Sequence, residues 1–422
     1  MADLHFRGNR WPTLGVEIEL QLVDARTMAL RSAIGDVLAE LPEALHDSVK
    51  PEFMQCYAEI NTGVCRTVDD VEADLAPRIR AVERAADRHG VRLVWAATHP
   101  FSHWRDQQIT PDERYYRLAD LLQETVVRPV TFGLHVHVGV ESGDRAIAVA
   151  NRMQPELPIP LAMSANSPFW HGRATGHHAH RIEVLEGFPT GGMMPPLASW
   201  AEFQDLLGRM QAAGFVESHR ELWWDVRPSI ENGTLEVRIC DMPADLADLL
   251  GLTAMIQCLV QAASDEIEAE SDSARPASAS ASASASAPHP LLLRQNRWRA
   301  CRFGPDAELV DPITLEARPA RAAARALIDR LLPVADRLGC RRALAHAGAM
   351  IACPSGSERQ LQLHRELGDL AEVLRRLSGR SRLSAEPARP APAPAVIPFP
   401  ARAGAWQPAA IRPPFPPGIS VP

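Results

Sequence analysis

Several features are missing from this 422-residue sequence, and each absence narrows the function. No uninterrupted apolar stretch reaches the ~18 residues of a membrane-spanning helix, and the N-terminus lacks the apolar core of a secretion signal. The formal net charge of −8 argues against binding to nucleic-acid backbones. The seven cysteines form no CxxC pair, which argues against a zinc knuckle or a disulfide framework. We therefore expect a cytoplasmic protein with reduced thiols and with neither membrane nor nucleic acid as a partner.

Two common nucleotide-binding motifs are also absent. The sequence contains neither the GxxxxGK[ST] phosphate loop nor the GxGxxG dinucleotide motif. Any nucleotide would then be held by metal ions and arginines. Arg299 and Arg302 are spaced to share one face of a helix, and a guanidinium can bind two phosphate oxygens at once, so we predict that both contact a nucleotide. A solvated helix face is the alternative interpretation.

Three short segments alternate like β-strands and carry polar side chains on one face with apolar side chains on the other. The polar pairs stand at positions i and i+2: Glu17 and Glu19 in residues 13–23, His135 and His137 in residues 131–140, and Glu236 and Arg238 in residues 233–240. A strand of this kind either lines a polar cavity or faces solvent. Three of them in one chain predict a shared wall.

The acidic residues of this wall suit a metal ion. Carboxylates as close as Glu17 and Glu19 repel each other unless a cation lies near, and carboxylate oxygens suit Mg²⁺ or Mn²⁺. A solvated face paired with arginines is the alternative. Glu52 and Glu59 carry little information by themselves. Two imidazoles in an apolar strand indicate contact with a metal or a phosphate, although buried histidines bonded to carbonyls are also common.

Other metal enzymes use an HxH pair as well. A cupin would need a glycine where this sequence has Ala148, and an amidohydrolase would carry HxH on its first strand, whereas two strands precede it here. The HHAH stretch at residues 177–180 could bind a metal, but a mobile polar loop is favoured. A metal-dependent hydrolase that uses these histidines is therefore an alternative function.

The chain is predicted to hold one large domain, residues 1–384, and a Pro/Ala-rich disordered tail, residues 385–422. A strict Ala-Ser alternation cannot supply a core, so a disordered loop is expected at residues 271–290. Helical spacing predicts helices over residues 67–89 and 111–127. Two further expectations are a β-hairpin at Asn232-Gly233 and an all-α layer over residues 291–377.

Deletion of residues 386–422 is expected to leave melting temperature and activity nearly unchanged. A Pro/Ala-rich segment buries too little apolar surface to stabilise a core. Thermal melting and turnover of the full and truncated chains make the comparison. A large loss of either would mean that this segment docks onto the folded part.

Eight blocks of sequence resemble the glutamate–cysteine ligase type 2 family of ATP-dependent carboxylate-amine ligases, which are related to glutamine synthetase. The blocks are LGVEIELQLVD (14–24), EINTGVC (59–65), TFGLHVHVGV (131–140), LAMSANSPFWHGRATG (161–176), FPTGG (188–192), RPSIENGTLEVRICDMP (227–243), NRWRACRFG (296–304) and SGSERQ (355–360). So many blocks in one order are far more specific than any single motif.

The resemblance implies an α+β fold in which a large curved antiparallel sheet forms an active-site funnel, with helices packed outside. It implies that ATP phosphorylates a carboxylate, formally that of glutamate, and that an amine, formally cysteine, attacks the acyl phosphate. Arg238 and Glu59 are the expected catalytic residues. Ligands for Mg²⁺ (or Mn²⁺) are expected at Glu17, Glu19, Glu52, Glu59, His135, His137 and Glu236. Small molecules are the expected partners, a homodimer is allowed, and a non-catalytic binding protein of ligase type is a further alternative.

Overall fold

The structure is a computed structural model that describes residues 5–272 and 288–383. These residues fall in one unit, Met1–Ser384. The Ala-Ser alternation and the Pro/Ala-rich tail lie outside the described residues, so the predictions for them stay predictions. Helical structure extends to Asp272 before the first of these segments and resumes at Pro290.

A seven-stranded antiparallel sheet is the frame of the protein. The strands in chain order are β1 (Leu14–Asp24), β2 (Val49–Lys50), β3 (Tyr57–Asn61), β4 (Val91–Val94), β5 (Gly133–Gly139), β6 (Phe169–Trp170), β7 (Arg173–Ala174), β8 (Gly191–Gly192), β9 (Trp223–Trp224), β10 (Val226–Ser229), β11 (Thr234–Asp241), β12 (Glu308–Val310) and β13 (Ala317–Pro319). The large sheet has the order β10-β11-β5-β1-β3-β2, and β4 pairs with the second half of β1. The other strands form two-stranded pairs.

Helices cover the apolar face of this sheet. In chain order they are α1 (Ile34–Ala39), α2 (Val68–Arg88), α3 (Glu113–Leu122), α4 (Glu124–Val127), α5 (Gly143–Met153), α6 (Pro158–Ser164), α7 (His180–Leu185), α8 (Trp200–Ala212), α9 (Leu246–Asp272), α10 (Pro290–Phe303), α11 (Ala320–Leu338), α12 (Arg341–Met350), α13 (Gly356–Leu367) and α14 (Leu370–Arg380). Val16, Ile18 and Leu20 of β1 are buried in the core on this side. The opposite face of β1 is therefore free to carry its two glutamates.

Helix α9 is the centre of the helical layer. It is long and apolar enough to cross a membrane, but 83% of its most apolar window is buried inside the protein. Such burial is typical of the core helix of a globular fold. No other helix in residues 5–272 and 288–383 meets the length and hydropathy of a membrane span.

Local sequence signals explain where one long helix begins and another breaks. The predicted helix over residues 67–89 is confirmed as α2, and Thr67 forms a capping box with Asp70 at its start. The predicted single helix over residues 111–127 is wrong. It is divided into α3 and α4 at Gln123, whose φ of 50° cannot continue a right-handed helix.

The all-α prediction for residues 291–377 needs one correction. Strands β12 and β13 form a small hairpin there, between α10 and α11. Asp311 accepts hydrogen bonds from the backbone of Ile313 and Thr314 and so shapes the turn that joins them. Single-residue turn chemistry of this kind interrupts an otherwise helical region.

The predicted hairpin at Asn232-Gly233 is confirmed, and it joins β10 to β11. We expect Gly233→Ala to lower the free energy of unfolding by about 1–3 kcal/mol. Gly233 has a φ of 62°, and a Cβ there would overlap the carbonyl of Arg7. Chemical denaturation of the variant measures the loss of stability. Asn232→Ala is the control, because Asn232 is exposed and does not have a positive φ. Equal stability of the two variants would contradict this account of the turn.

Candidate active site

Strand register brings the predicted polar side chains together on the open face of the sheet. Three pairs stand directly opposite one another across neighbouring strands: Glu17 with His135, Glu19 with Glu59, and Glu236 with His137. Opposite residues on one face of an antiparallel pair have Cβ atoms about 5 Å apart. The wall expected from three separate segments is therefore one continuous surface.

This surface lines a cavity of about 460 Å³. All seven predicted metal ligands and Arg238 lie on its walls. A second wall is apolar and is formed by aromatic rings and aliphatic side chains: Phe53, Tyr115, Leu118, Val126, Leu185, Phe188 and Trp223. The cavity thus has a charged floor and an apolar side, an arrangement typical of sites that bind small molecules.

The first acidic group surrounds Glu17. Ligand atoms of Glu17, His135 and Glu236 all lie within 4.8 Å of one another, close enough to hold one metal ion. The carboxylate of Glu17 lies 3.4 Å from Nδ1 of His135 and 3.2 Å from Nε2 of His137. Burial raises the pKa of Glu17, but the contacts with the two histidines outweigh it and hold this pKa well below its usual range. Glu17 is therefore ionised.

The pKa values of the two histidines shift in opposite directions. Burial, assisted by Arg238, lowers the pKa of His135 to about 4, so its ring is neutral near pH 7. Burial also lowers the pKa of His137, but the carboxylates of Glu236 and Glu17 more than offset this and the pKa is raised. A neutral imidazole can bind a metal directly, whereas a protonated one cannot. His135 is accordingly the better prepared ligand.

Glu236 is held between two arginines. Nε of Arg227 donates to Oε2 of Glu236 at 2.7 Å, and Nη1 of Arg238 donates to Oε1. Burial raises the pKa of Glu236, but these guanidinium groups outweigh it and hold the pKa well below its usual range. Because both oxygens are engaged, Glu236 orients the arginines as well as adding negative charge to the floor.

The second acidic group contains Glu19, Glu52 and Glu59. Burial, followed by the charge of Glu52, raises the pKa of Glu19 to about 7. The same two causes raise the pKa of Glu59 well above its usual range. Oε2 of Glu19 accepts a hydrogen bond from the backbone N–H of Gly133 at 2.5 Å. Crowded, buried carboxyls with raised pKa values are suited to bind a divalent cation, which displaces their protons into solvent.

The predicted nucleotide contacts Arg299 and Arg302 are not brought to this cavity. Arg299 donates to the carbonyl of Glu308 at 3.0 Å, and Arg302 donates to the carbonyl of Gly176. The neighbouring Arg297 is buried in an ion pair with Asp225 instead. These three side chains tie α10 to the surrounding segments.

The HHAH stretch also lies away from the cavity. Nδ1 of His178 is 2.6 Å from the hydroxyl of Ser357. The rings of His177 and His180 stack on each other, with their centroids 5.7 Å apart. These histidines do not join His135 and His137 in one metal site, as a hydrolase using both motifs would require.

Five Lys and Arg residues on the cavity walls were missed from the sequence: Lys50, Arg114, Arg181, Arg220 and Arg227. Arg227 stands within one of the quoted blocks, opposite Glu236 in register, and a hairpin alignment would have found it. Arg181 follows HHAH directly, and Lys50 is the sole lysine in the chain. Neither position has a local pattern that indicates where its side chain points.

Comparison of the sequence with protein families identifies its relatives. The sequence model of glutamate–cysteine ligase family 2 matches residues 13–378 of this chain. A protein from Gloeobacter violaceus, provisionally named glutamate–cysteine ligase 2, is 37% identical over 372 residues, which cover 87% of this chain and 96% of the relative. One from Rubrobacter xylanophilus, provisionally named glutamate–cysteine ligase 2-1, is 37% identical over 367 residues, covering 87% and 94%.

Two solved structures have the same fold. A glutamate–cysteine ligase from Francisella tularensis in complex with AMP aligns with a TM-score of 0.64 at 12% identity over 91% of both chains. A bifunctional glutathione synthetase from Pasteurella multocida aligns with a TM-score of 0.63 at 13% identity, covering 88% of this chain and 51% of that chain. The predicted α+β fold with a large antiparallel sheet is confirmed. With the match over residues 13–378, the chain belongs to glutamate–cysteine ligase family 2.

Proposed function

We propose that the funnel joins a carboxylate to an amine with conversion of ATP to ADP and phosphate, through an acyl phosphate. The formal substrates are glutamate and cysteine, the pair that names the family. The observation that carries the proposal is the register of β1, β3, β5 and β11, which gathers carboxylates, imidazoles and arginines around one cavity. A carboxylate is a poor electrophile, so an amine attacks it only after phosphorylation.

Phosphoryl transfer between two anions requires that their charges be neutralised. The donor set fits hard divalent cations, because oxygen ligands dominate it and because a cation would offset the burial and the charge of Glu52 that raise the pKa values of Glu19 and Glu59. We propose Mg²⁺ (or Mn²⁺) as the cation, with ligands drawn from Glu17, Glu19, Glu52, Glu59, His135, His137 and Glu236. Bound there, it would neutralise phosphate charge and polarise the transferred group.

The residues of the chain supply orientation and proton transfer. Arg238, fixed by Glu236, presents a planar guanidinium to the oxygens of the transferred phosphoryl group. Glu59 lies on the cavity wall, and once a bound cation has displaced its proton its carboxylate can take the proton that the attacking amine loses. The apolar side of the cavity excludes water, which would otherwise hydrolyse the acyl phosphate.

The proposal extends to the setting of the reaction. We propose small-molecule substrates, a cytoplasmic location and, as a compatible assembly, a homodimer. The seven cysteines are free, and six of them are buried, which suits a reducing compartment.

A screen for ADP release tests the proposal. Purified protein receives Mg-ATP, glutamate and a panel of amines that includes cysteine, with each substrate omitted in turn, and mass spectrometry identifies the amide. The expected result is ADP release that requires both the carboxylate and an amine. Zinc-dependent hydrolysis of an amide or ester without ATP consumption would overturn the proposal in favour of a hydrolase. Absence of any turnover, with ligands still bound, would favour a binding protein.

A further inference from the structure

Arg181 brings a buried positive charge to the floor of the funnel without a carboxylate partner. Its side chain extends from the second residue of α7 and is 2% exposed. Both terminal nitrogens lie 3.2 Å from the carbonyl oxygen of Arg238, one lies 3.5 Å from Nε2 of His135, and Nε has no partner. Among residues 5–272 and 288–383, no carboxylate oxygen lies within 4.0 Å of a guanidinium nitrogen of Arg181, the distance that defines an ion pair.

The surroundings of Arg181 do not supply the missing anion. Its neighbour His135 is an imidazole and offers no carboxylate, and the guanidinium groups of Arg227 and Arg238 already share Glu236. The carboxylates of Glu19 and Asp241 are engaged elsewhere: Glu19 accepts from the backbone N–H of Gly133, and Asp241 accepts from the N–H of Asn166 and the hydroxyl of Ser167. A buried charge without a close counter-ion is unfavourable unless a ligand provides one.

Two local features hold the guanidinium in this position. The pairing of β11 with β5 shifts register between Val237 and Cys240, and within this irregularity the carbonyl of Arg238 accepts from Arg181. On the other side, Gly133 leaves the space that the guanidinium occupies, because a Cβ at residue 133 would overlap it. The backbone therefore aims this cation at the cavity that it lines.

We infer that Arg181 is an anion-binding residue of the funnel floor and that it binds an oxyanion of the substrates. The oxyanion is either the transferred phosphoryl group or the carboxylate that accepts it, since both present coplanar oxygen pairs to a guanidinium fork. The inference rests on the proposed function for the identity of these substrates. The open charge of Arg181 distinguishes it from the paired arginines beside it.

Ligand-induced shifts in melting temperature test the inference without catalysis. The probes are inorganic phosphate and L-glutamate, each added alone, with L-glutamine as the control that lacks the side-chain carboxylate. We expect the parent to melt at a higher temperature with at least one anion, Arg181→Met to lose that shift, and Arg181→Lys to keep only part of it. Loss of the phosphate shift or of the glutamate shift identifies which oxyanion is bound.

Arg145→Met is the matched control. Arg145 is a part-buried arginine outside the cavity that is paired with Glu141 at 3.0 Å, so its loss should leave the ligand shifts unchanged. If Arg181→Met does not fold, Gly133→Ala displaces the guanidinium while the charge remains, and it should weaken the same shift. Unchanged shifts in the Arg181 variants, or no shift of the parent with either anion, overturn the inference.

Turnover separates this inference from the proposed function. If the parent releases ADP and Arg181→Met retains turnover within about twofold of it, the inference fails while the ligase proposal stands; we expect a loss on the order of 100-fold. If the anion shift depends on Arg181 but no amine supports ADP release, the ligase proposal fails while the anion site stands.

Discussion

Glu19→Gln is expected to reduce Mg²⁺-dependent ADP release on the order of 100-fold or more and to leave the fold intact. Glu19 is 9% exposed, and its carboxylate accepts from the N–H of Gly133. A glutamine keeps an oxygen for that hydrogen bond and has the shape of the protonated acid, but it offers no negative charge to a divalent cation. Steady-state ADP release over a Mg²⁺ titration makes the measurement.

The pH dependence of stability gives an independent view of the same carboxyl. Below pH 4.5 Glu19 is protonated in both states, whereas between pH 4.5 and about 7 only the unfolded chain loses the proton. A raised carboxyl pKa therefore destabilises the folded protein as pH rises through this window. In metal-free buffer the parent should lose up to roughly 3 kcal/mol relative to Glu19→Gln, at 1.36 kcal/mol per pH unit. Added Mg²⁺ should restore the stability of the parent and leave that of Glu19→Gln unchanged.

The control for this prediction is Glu141→Gln, which alters an exposed glutamate outside the cavity and should behave like the parent. Retained ADP release with unchanged Mg²⁺ dependence in Glu19→Gln would show that the glutamates of β1 serve the fold alone. A stability difference that does not vary with pH would contradict the raised pKa.

Arg238→Lys is expected to lower turnover on the order of 100-fold, equivalent to about 3 kcal/mol of transition-state stabilisation. Burial lowers the pKa of Arg238, but the carboxylate of Glu236 outweighs it and raises the pKa, so the positive charge is secure. Lysine preserves that charge. An ammonium cannot grip two oxygens in one plane, and it cannot reach Glu236 and a phosphoryl group at once.

Measured kcat and KM for ATP show whether Arg238→Lys weakens binding of ATP or stabilisation of the transition state. A loss in kcat with little change in KM indicates a contact made in the transition state, as the proposal requires. Arg145→Lys, at an arginine paired with Glu141 outside the cavity, should be nearly neutral. Activity of Arg238→Lys within about twofold of the parent would remove Arg238 from the site and weaken the proposed role of Glu236 as the residue that orients it.

Local pattern was sufficient for the parts of the fold that one segment decides. The alternation in residues 13–23 correctly separated the buried face of β1 from the face of Glu17 and Glu19, because side chains on a strand alternate whatever its partners are. The cap at Thr67 and the turn at Gly233 were also visible, since their hydrogen bond and positive φ involve only neighbouring residues. The family resemblance then supplied the sheet that connects these segments.

Tertiary structure alone decided which charges share the cavity. Register sets Glu17 opposite His135 and Glu19 opposite Glu59, and register depends on pairings between residues far apart in the chain. Helical spacing suggested that Arg299 contacts a nucleotide, yet the packing of α10 directs it to the carbonyl of Glu308, away from the cavity. Spacing gives the face of a helix that a side chain occupies, but not the neighbour that this face meets.

Arg181 is a cavity residue that its sequence context did not indicate. The HHAH stretch that precedes it lies away from the cavity, whereas its guanidinium occupies the space left by Gly133 and donates to a carbonyl in the irregular part of β11. The sequence by itself determined the charged strands, their likeness to a ligase family and the chemistry that their side chains can perform. The three-dimensional packing determined which of those charges are paired and which, like that of Arg181, remain open to a ligand, because pairing depends on distances that only the folded chain fixes.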